Sequence, residues 1–553
     1  MTASGYPAAR LPRAGVRPTL LEGIRSARLE TWIVVGLVVV AAAIRIVTIN
    51  NQSFWMDEAL TAFEARSSFG GMLGTVLHVE TTPPLYFVLA WVWGHLFGTG
   101  EVALRSISTL SGIALVPIAY LAGRDLISGW AGVLAAAFAT VNPFMVWYSQ
   151  EARAYMLLAA FSGASFLYFV RASRAPTRRN LAWWALWSAL ALTTHFFAAF
   201  VVAPEALWLL WQAGGRRRGA GADTAAGVGR TADIREVGAA VGVVALVELA
   251  MLPFAVLDRA HGASWIASVP RLNRISSTVL EWGVSILYRR AAVHEGLVFG
   301  AVLLAIVVFL LVVGADRRLR AGAAMAAAVA GFVFVVPLLL GWLGQDYFLS
   351  RNVIPGFVPL AVLVAAACVA PRLRLLGGAL AIALLILFSV ALVQVQTRAY
   401  LQRPNWRGVA RSLGSARVPR AVLAADGTTA DALKIYLPHV PWTQPPGRAV
   451  LIREVDVVGA TKRLPLIVTQ RAAAQPLTKA ELRRNQIGSP VPRVRAPRGA
   501  RLISRMRVYN WIVARFALLH PIRVTAARLS TLAPKFFLRT PRALLVFFQR
   551  PGR

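Results

Sequence analysis

The sequence predicts an all-α polytopic membrane protein with one small α/β domain appended near its C-terminus. Three observations lead there. Apolar residues make up 57% of the 553 positions and the mean hydropathy is +0.60, whereas a soluble domain holds roughly 45–50%. Apolar segments recur twelve times between residues 31 and 395, most close to the roughly 20 residues a helix needs to cross a bilayer. After residue 396 the pattern turns to shorter mixed runs, strand-like in AVLAA, RAVLI and LPLIVTQ and helix-like in TTADALKIYL and TKAELRRN, the signature of a small domain outside the membrane.

The spans fall near 31–49, 83–98, 102–122, 129–148, 152–170, 181–194, 196–212, 237–257, 294–314, 321–341, 352–370 and 376–395. The run 181–212 splits as a tight hairpin at Thr193-Thr194-His195, and Pro143 breaks or kinks the span before Tyr148. Arg-rich short loops stay cytoplasmic. They comprise the basic tail 1–30 and the arginines at 171–179, 216–218, 317–320 and 372–374. All lie on one side if the 50–82 loop, Glu151, His195, residues 342–351 and everything after about 396 lie outside. That parity requires eleven crossings plus one partial helix, with 83–98 or 102–122 the incomplete one and Gly98-Thr99-Gly100-Glu101 the break. The domains expected are a cytoplasmic tail 1–30, a transmembrane domain 31–395, an extracytoplasmic α/β domain 396–510 and a basic amphipathic tail 511–553.

Thirty polar residues precede the first span, so no cleavable signal is read. The single cysteine, Cys368, lies within an apolar run, which excludes a disulfide framework. There is no nucleotide-binding Gly-rich loop, and neither a cofactor nor a metal site is expected.

Acidic residues at the mouths of membrane helices carry the chemistry. Asp57 and Glu58 follow the first span. Asp57 could cap a helix starting at Glu58. A partly desolvated carboxylate there could instead accept the proton of an attacking hydroxyl. His78 and Glu80 precede Pro83-Pro84 in the same loop, forming a second acidic arm. Glu151 and Arg153, flanked by Tyr148 and Tyr155, stand at the mouth of a later span, where ionisable residues default to function. Arg105, Arg153 and Arg351 are cations suited to an anionic headgroup or a phosphate leaving group. His195 faces the same side.

Together these runs resemble the GT-C membrane glycosyltransferases, in particular the bacterial relatives of protein O-mannosyltransferases and of lipid A aminoarabinose transferases. The residues that carry the likeness are Asp57-Glu58 after the first span, His78-Val79-Glu80 before Pro83-Pro84-Leu85-Tyr86, Arg105, the run Tyr148-Ser149-Gln150-Glu151-Ala152-Arg153-Ala154-Tyr155, Thr194-His195-Phe196, and Arg351 with Pro355 and Pro359. The resemblance implies an inverting transferase that uses a polyprenyl-phosphate sugar, mannosyl or pentosyl, on the outer face of the plasma membrane. Asp57, with Glu58 beside it, would be the catalytic acid. His78, Glu80, Arg105, Tyr148, Glu151, Arg153, Tyr155, His195 and Arg351 would bind substrate. Thr82 stands where the aminoarabinose branch has a Lys, so phosphate recognition would fall on Arg105, Arg153 and Arg351.

Residues 396–553 hold 29 Lys and Arg against five acids, about +24 of the total +35. The final part interleaves apolar and cationic residues, as an amphipathic stretch on anionic membrane lipid does. An anionic glycan acceptor is a rival partner; lipid and protein acceptors remain open, and nucleic acid is not expected. The alternatives to a transferase are a flippase for lipid-linked sugars, which would place its charges along the midplane, and a non-catalytic wall-assembly protein.

Overall fold

The computed structural model describes residues 20–80, 82–219, 234–258, 264–283, 293–398, 401–425, 432–437, 448–460, 496–508, 511–532 and 544–551. The tail before residue 20 and the runs LPLIVTQ and TKAELRRN lie outside the described residues. Among the described residues eight helices are long and apolar enough to cross a membrane, and a ninth is so if one bent pair counts as a span.

α1 (Leu20–Val47) enters the apolar layer. α2 (Met56–Arg66) and α3 (Phe69–His78) form the loop that follows, and α4 (Leu85–Phe97) and α5 (Glu101–Leu126) complete the first unit. The break between α4 and α5 falls at Gly98, whose φ of +90° only glycine adopts readily. α4 has 13 residues and α5 has 26. At 1.5 Å per residue α4 is about 20 Å long, short of the hydrocarbon thickness of roughly 30 Å. The short member of that pair is therefore 85–97.

The next span is broken. α6 (Gly129–Val141) and α7 (Pro143–Ser149) meet at 58°. Pro143 cannot continue the hydrogen-bond ladder of α6 but suits the first position of a new helix. Asn142 caps α7 by accepting from the Phe144 and Met145 amides, both at 3.1 Å. Its amide nitrogen donates to the Trp282 carbonyl at 2.8 Å. The carbonyls left open at the end of α6 are met by Arg45 of α1, which donates to Ala139 at 2.9 Å and Thr140 at 3.1 Å. A buried cation on a helix C-terminus is favoured by the helix dipole. The bend carries the chain after Ser149 sideways, toward α2.

α8 (Tyr155–Arg174), α9 (Arg178–Thr194), α10 (Ala199–Gly219) and α11 (Ile234–Asp258) follow, then α12 (Ser264–Ala267), α13 (Arg271–Gly283), α14 (Val293–Phe309), α15 (Arg317–Trp342), α16 (Phe357–Cys368) and α17 (Arg374–Thr397). The α9–α10 hairpin turns at His195. The main core is built on α1, α5, α6, α8, α9 and α16. α5 and α6 touch backbone to backbone: a Cβ on Gly132 would stand 2.4 Å from the Tyr120 carbonyl, and one on Gly123 would stand 2.8 Å from the Gly132 Cα. Small residues give this close approach in membrane helices.

The C-terminal domain contains α18 (Trp406–Leu413), α19 (Leu433–Tyr436) and five strands, β1 (Arg420–Ala425), β2 (Val450–Ala460), β3 (Ala500–Val508), β4 (Trp511–Val524) and β5 (Leu544–Gln549). The sheet order is β3-β4-β2-β1-β5. β1 and β2 are parallel and the other pairs antiparallel. This corrects the expected tail 511–553 where it is described: β4 (511–524) is an interior strand and β5 (544–549) pairs with β1, so both belong to the same sheet as β1 and β2. The interleaving read as an amphipathic membrane stretch is strand alternation. Trp511 and Val513 pack on one face, Ala514 and Phe516 on the other, and Arg515 bridges to Glu454 on β2 at 2.7 Å.

Gly132→Val forces α5 and α6 apart. It is expected to lower folded-state stability by about 1–3 kcal/mol or more, read as a lower melting temperature of the detergent-solubilised protein, while Gly238→Val, which meets open space, leaves it nearly unchanged.

Candidate active site

The site grows from the first turn of α2. The helix starts at Met56, with Trp55 at the capping position. Glu58, not Asp57, turns back to it: Glu58 Oε2 accepts from the Trp55 amide at 3.3 Å. The expectation that Asp57 caps a helix beginning at Glu58 is corrected accordingly, and the Asp57 side chain is released from capping.

Glu58 is fully buried. Its Oε1 accepts from Arg105 Nε at 2.7 Å and from the Ala152 amide at 2.9 Å, and its Oε2 accepts from Arg105 Nη2 at 2.7 Å. Burial alone would raise this carboxyl, but the guanidinium charges of Arg105 and Arg403 and these hydrogen bonds hold it below the usual carboxylate range. Arg105 also donates to the carbonyls of Ile49 (3.0 Å), Gln52 (2.7 Å) and Ser53 (3.1 Å). All five of its N–H groups are thereby used. Arg105, expected to meet phosphate, instead ties α5 to the loop before α2.

Two further carboxylates have one arginine each. Glu80 is buried and bidentate with Arg153, at 2.8 and 2.7 Å. Arg153 lies over the Phe87 ring at 5.5 Å. Glu151 accepts from Arg403 Nη2 at 2.5 Å. Arg403 also donates to the Gln150 carbonyl at 2.9 Å, lies 4.4 Å from the Trp147 ring and stands 3.9 Å from Glu58. Glu151 and Arg153, two residues apart, thus pair with different partners.

Asp57 is different. Its carboxylate keeps 19% exposure and its ion-pair contact is a long one, 3.8 Å to Arg351 Nη1, a side chain itself 26% exposed. Burial raises the Asp57 carboxyl, against the lowering charges of Arg153 and Arg351. Arg351 lies 5.6 Å from the Tyr155 ring, which packs on Tyr148 at 5.2 Å and His195 at 5.8 Å. His195 Nδ1 accepts from the Phe197 amide at 3.4 Å. Burial, helped by the charges of Arg153 and Arg351, lowers His195 to about 3, so it is a neutral group here.

Asp57, Glu58, Glu80, Arg105, Tyr148, Glu151, Arg153, Tyr155, His195 and Arg351 are thus brought together. His78 is not: it ends α3 with its side chain in solvent. Two residues escaped the sequence reading. Glu64, on the buried face of α2 beside Glu80, is raised to about 9 by burial and then by the Glu80 charge. Arg403 arrives from 252 residues beyond Glu151. The only local sign of it is the run Arg403-Pro404-Asn405-Trp406, in which Asn405 caps α18.

The C-terminal domain seats on the same loop. Ser53 Oγ donates to the Pro404 carbonyl and accepts from the Trp406 amide. Tyr436 donates to Glu101 at 2.6 Å and accepts from the Phe54 amide at 2.7 Å. Arg407 bridges to Glu101 at 2.8 Å.

The family profile described as dolichyl-phosphate-mannose-protein mannosyltransferase matches residues 81–221, from the Pro-Pro turn to the end of α10. Among solved structures, the chain is similar to ArnT from Cupriavidus metallidurans in the apo state. The TM-score is 0.52 at 14% identity, covering 88% of this chain and 98% of that one. It is also similar to the same ArnT bound to undecaprenyl phosphate (0.49, 14%, 87% and 97%). A third similar structure is the oligosaccharyltransferase AglB from Archaeoglobus fulgidus (0.43, 14%, 70% and 58%). No curated protein sequence matches. The likeness to apo ArnT shows a shared fold over most of both chains. Residues 81–221 carry the mannosyltransferase-type sequence pattern.

Arg105→Met leaves Glu58 buried without its partner. Breaking a buried pair in this way is expected to cost about 3–5 kcal/mol, seen as loss of the folded species in size-exclusion chromatography or a large drop in melting temperature.

Proposed function

We propose that the chain transfers a glycosyl unit from a polyprenyl-phosphate sugar to a cell-envelope acceptor, at the outer face of the plasma membrane, with inversion at the anomeric carbon. One observation carries this reading. Among the clustered carboxylates, Glu58, Glu80 and Glu151 are each clasped by an arginine at hydrogen-bond distance and Glu64 is buried, whereas Asp57 keeps 19% exposure and lies 3.8 Å from Arg351.

A general base needs a carboxylate within reach of the substrate and a pKa closer to working pH than an ordinary aspartate. Asp57 takes the proton of the acceptor hydroxyl. The freed oxygen attacks the anomeric carbon as the bond from that carbon to the phosphate oxygen breaks. The electron pair of that bond stays on polyprenyl phosphate, whose charge grows from about −1 to about −2. Arg351, 3.8 Å from Asp57, is the cation that meets this growing charge. The donor arrives by lateral diffusion in the lipid, and the acceptor arrives over α2 from the aqueous side. The orientation rests on the arginine-rich short loops that face away from this cluster.

Asp57→Asn, nearly isosteric, should leave the melting temperature unchanged and reduce transfer from a radiolabelled polyprenyl-phosphate sugar by about 10²–10⁴-fold; undiminished transfer would sink the assignment. The charged base form is lost as pH falls through a raised pKa. The acidic limb of the rate profile should therefore lie above the ~3.9 of a free aspartate. Arg351→Gln should weaken donor use by roughly 10²-fold, measured as kcat/KM for the lipid.

A further inference from the structure

Glu151 has one oxygen committed and one not. Oε2 is held by Arg403, whereas Oε1 is buried with no hydrogen-bond partner. Glu151 itself is 2% exposed. Leaving a buried acceptor unpaired costs about 1–3 kcal/mol, a cost that a ligand hydroxyl would remove. The surroundings place that oxygen. The charges of both Asp57 and Arg351 act on Glu151, and its chain neighbours Tyr148 and Tyr155 are in edge-to-face contact at 5.2 Å. It therefore lies near both the base and the phosphate cation, as the transferred sugar must if the reading above is right.

We propose that Glu151 is a specificity-determining residue that accepts a hydrogen bond from a hydroxyl of the transferred sugar, and that Arg403 of the C-terminal domain is the positioning residue that aims it. The clasp fixes the carboxylate plane through one oxygen and presents the other. Gln150 is tied in from both sides: its carbonyl accepts from Arg403, and its side-chain amide donates to the Arg45 carbonyl at 3.2 Å. The segment that aims Glu151 is therefore held by α1 and the C-terminal domain together. A site built to bond a hydroxyl rejects the analogue lacking it, because its own polar group is then stranded.

The test is binding of three lipids to the full chain in nanodiscs: bare polyprenyl phosphate, polyprenyl-phosphate mannose and polyprenyl-phosphate arabinose. The wild type should bind one sugar-bearing lipid about tenfold or more tighter than the bare lipid. Glu151→Met with Arg403→Met removes both partners and leaves no stranded charge. It should abolish that preference while changing affinity for the bare lipid less than about twofold. Arg403→Met alone should reduce the preference, and Arg403→Lys should restore part of it. A double variant that keeps the preference overturns the proposal, as does one that weakens all three lipids equally. A wild type binding all three with equal affinity overturns it and leaves the transferase reading standing. A wild type that binds none of them overturns both.

Discussion

The pairing of Glu58 with Arg105 is the constraint on which the rest of the site depends. Glu58 receives two N–H groups of Arg105 and the Ala152 amide, and Arg105 spends its other donors on three carbonyls of the loop before α2. That cluster joins α2, α5 and the turn after α7 at one point. Two buried charges are stable there because each is saturated; either one alone would have to be desolvated without compensation. With α2 so anchored, the next-door Asp57 has no freedom to join the pair. Its position between Arg351 and Arg153 follows from the helix it stands on.

The same logic recurs at each carboxylate. Glu80 with Arg153 and Glu151 with Arg403 repeat the arrangement. These arginines are engaged with protein carboxylates, and Arg351 carries the looser and more exposed contact of the set. The geometry thus separates the cations by how closely they hold a carboxylate, and the acids with them.

Much of this was legible in the chain. The Asn142-Pro143 break, the His195 hairpin and the gap at 98–101 are local events. A proline, a capping residue or a glycine writes each of them directly into a few adjacent positions. The gathering of Asp57, Glu80, Glu151, Arg153, Tyr155 and Arg351 was legible as well, because the helix count brings their loops to one face. The roles of the arginines were not. Nothing around Arg105 distinguishes a guanidinium with five protein hydrogen bonds from one awaiting phosphate, since they go to the Glu58 carboxylate and to three carbonyls, 47 to 56 residues away. Arg403 was invisible for the same reason at greater distance. β4 was misread because arginines alternating with apolar residues satisfy both an amphipathic surface pattern and a strand whose charged positions find carboxylates across the ladder.

The route by which Arg403 reaches Glu151 has a consequence for biosynthesis. α17 is the last membrane-length helix among the described residues, yet Glu151 waits for a residue from the segment that follows, and that segment packs on strands ending at Gln549. A ribosome must therefore carry synthesis well past α17 before the cluster can close. A copy cut short before Arg403 would hold Glu151 buried without its cation, the costly half of a broken buried pair.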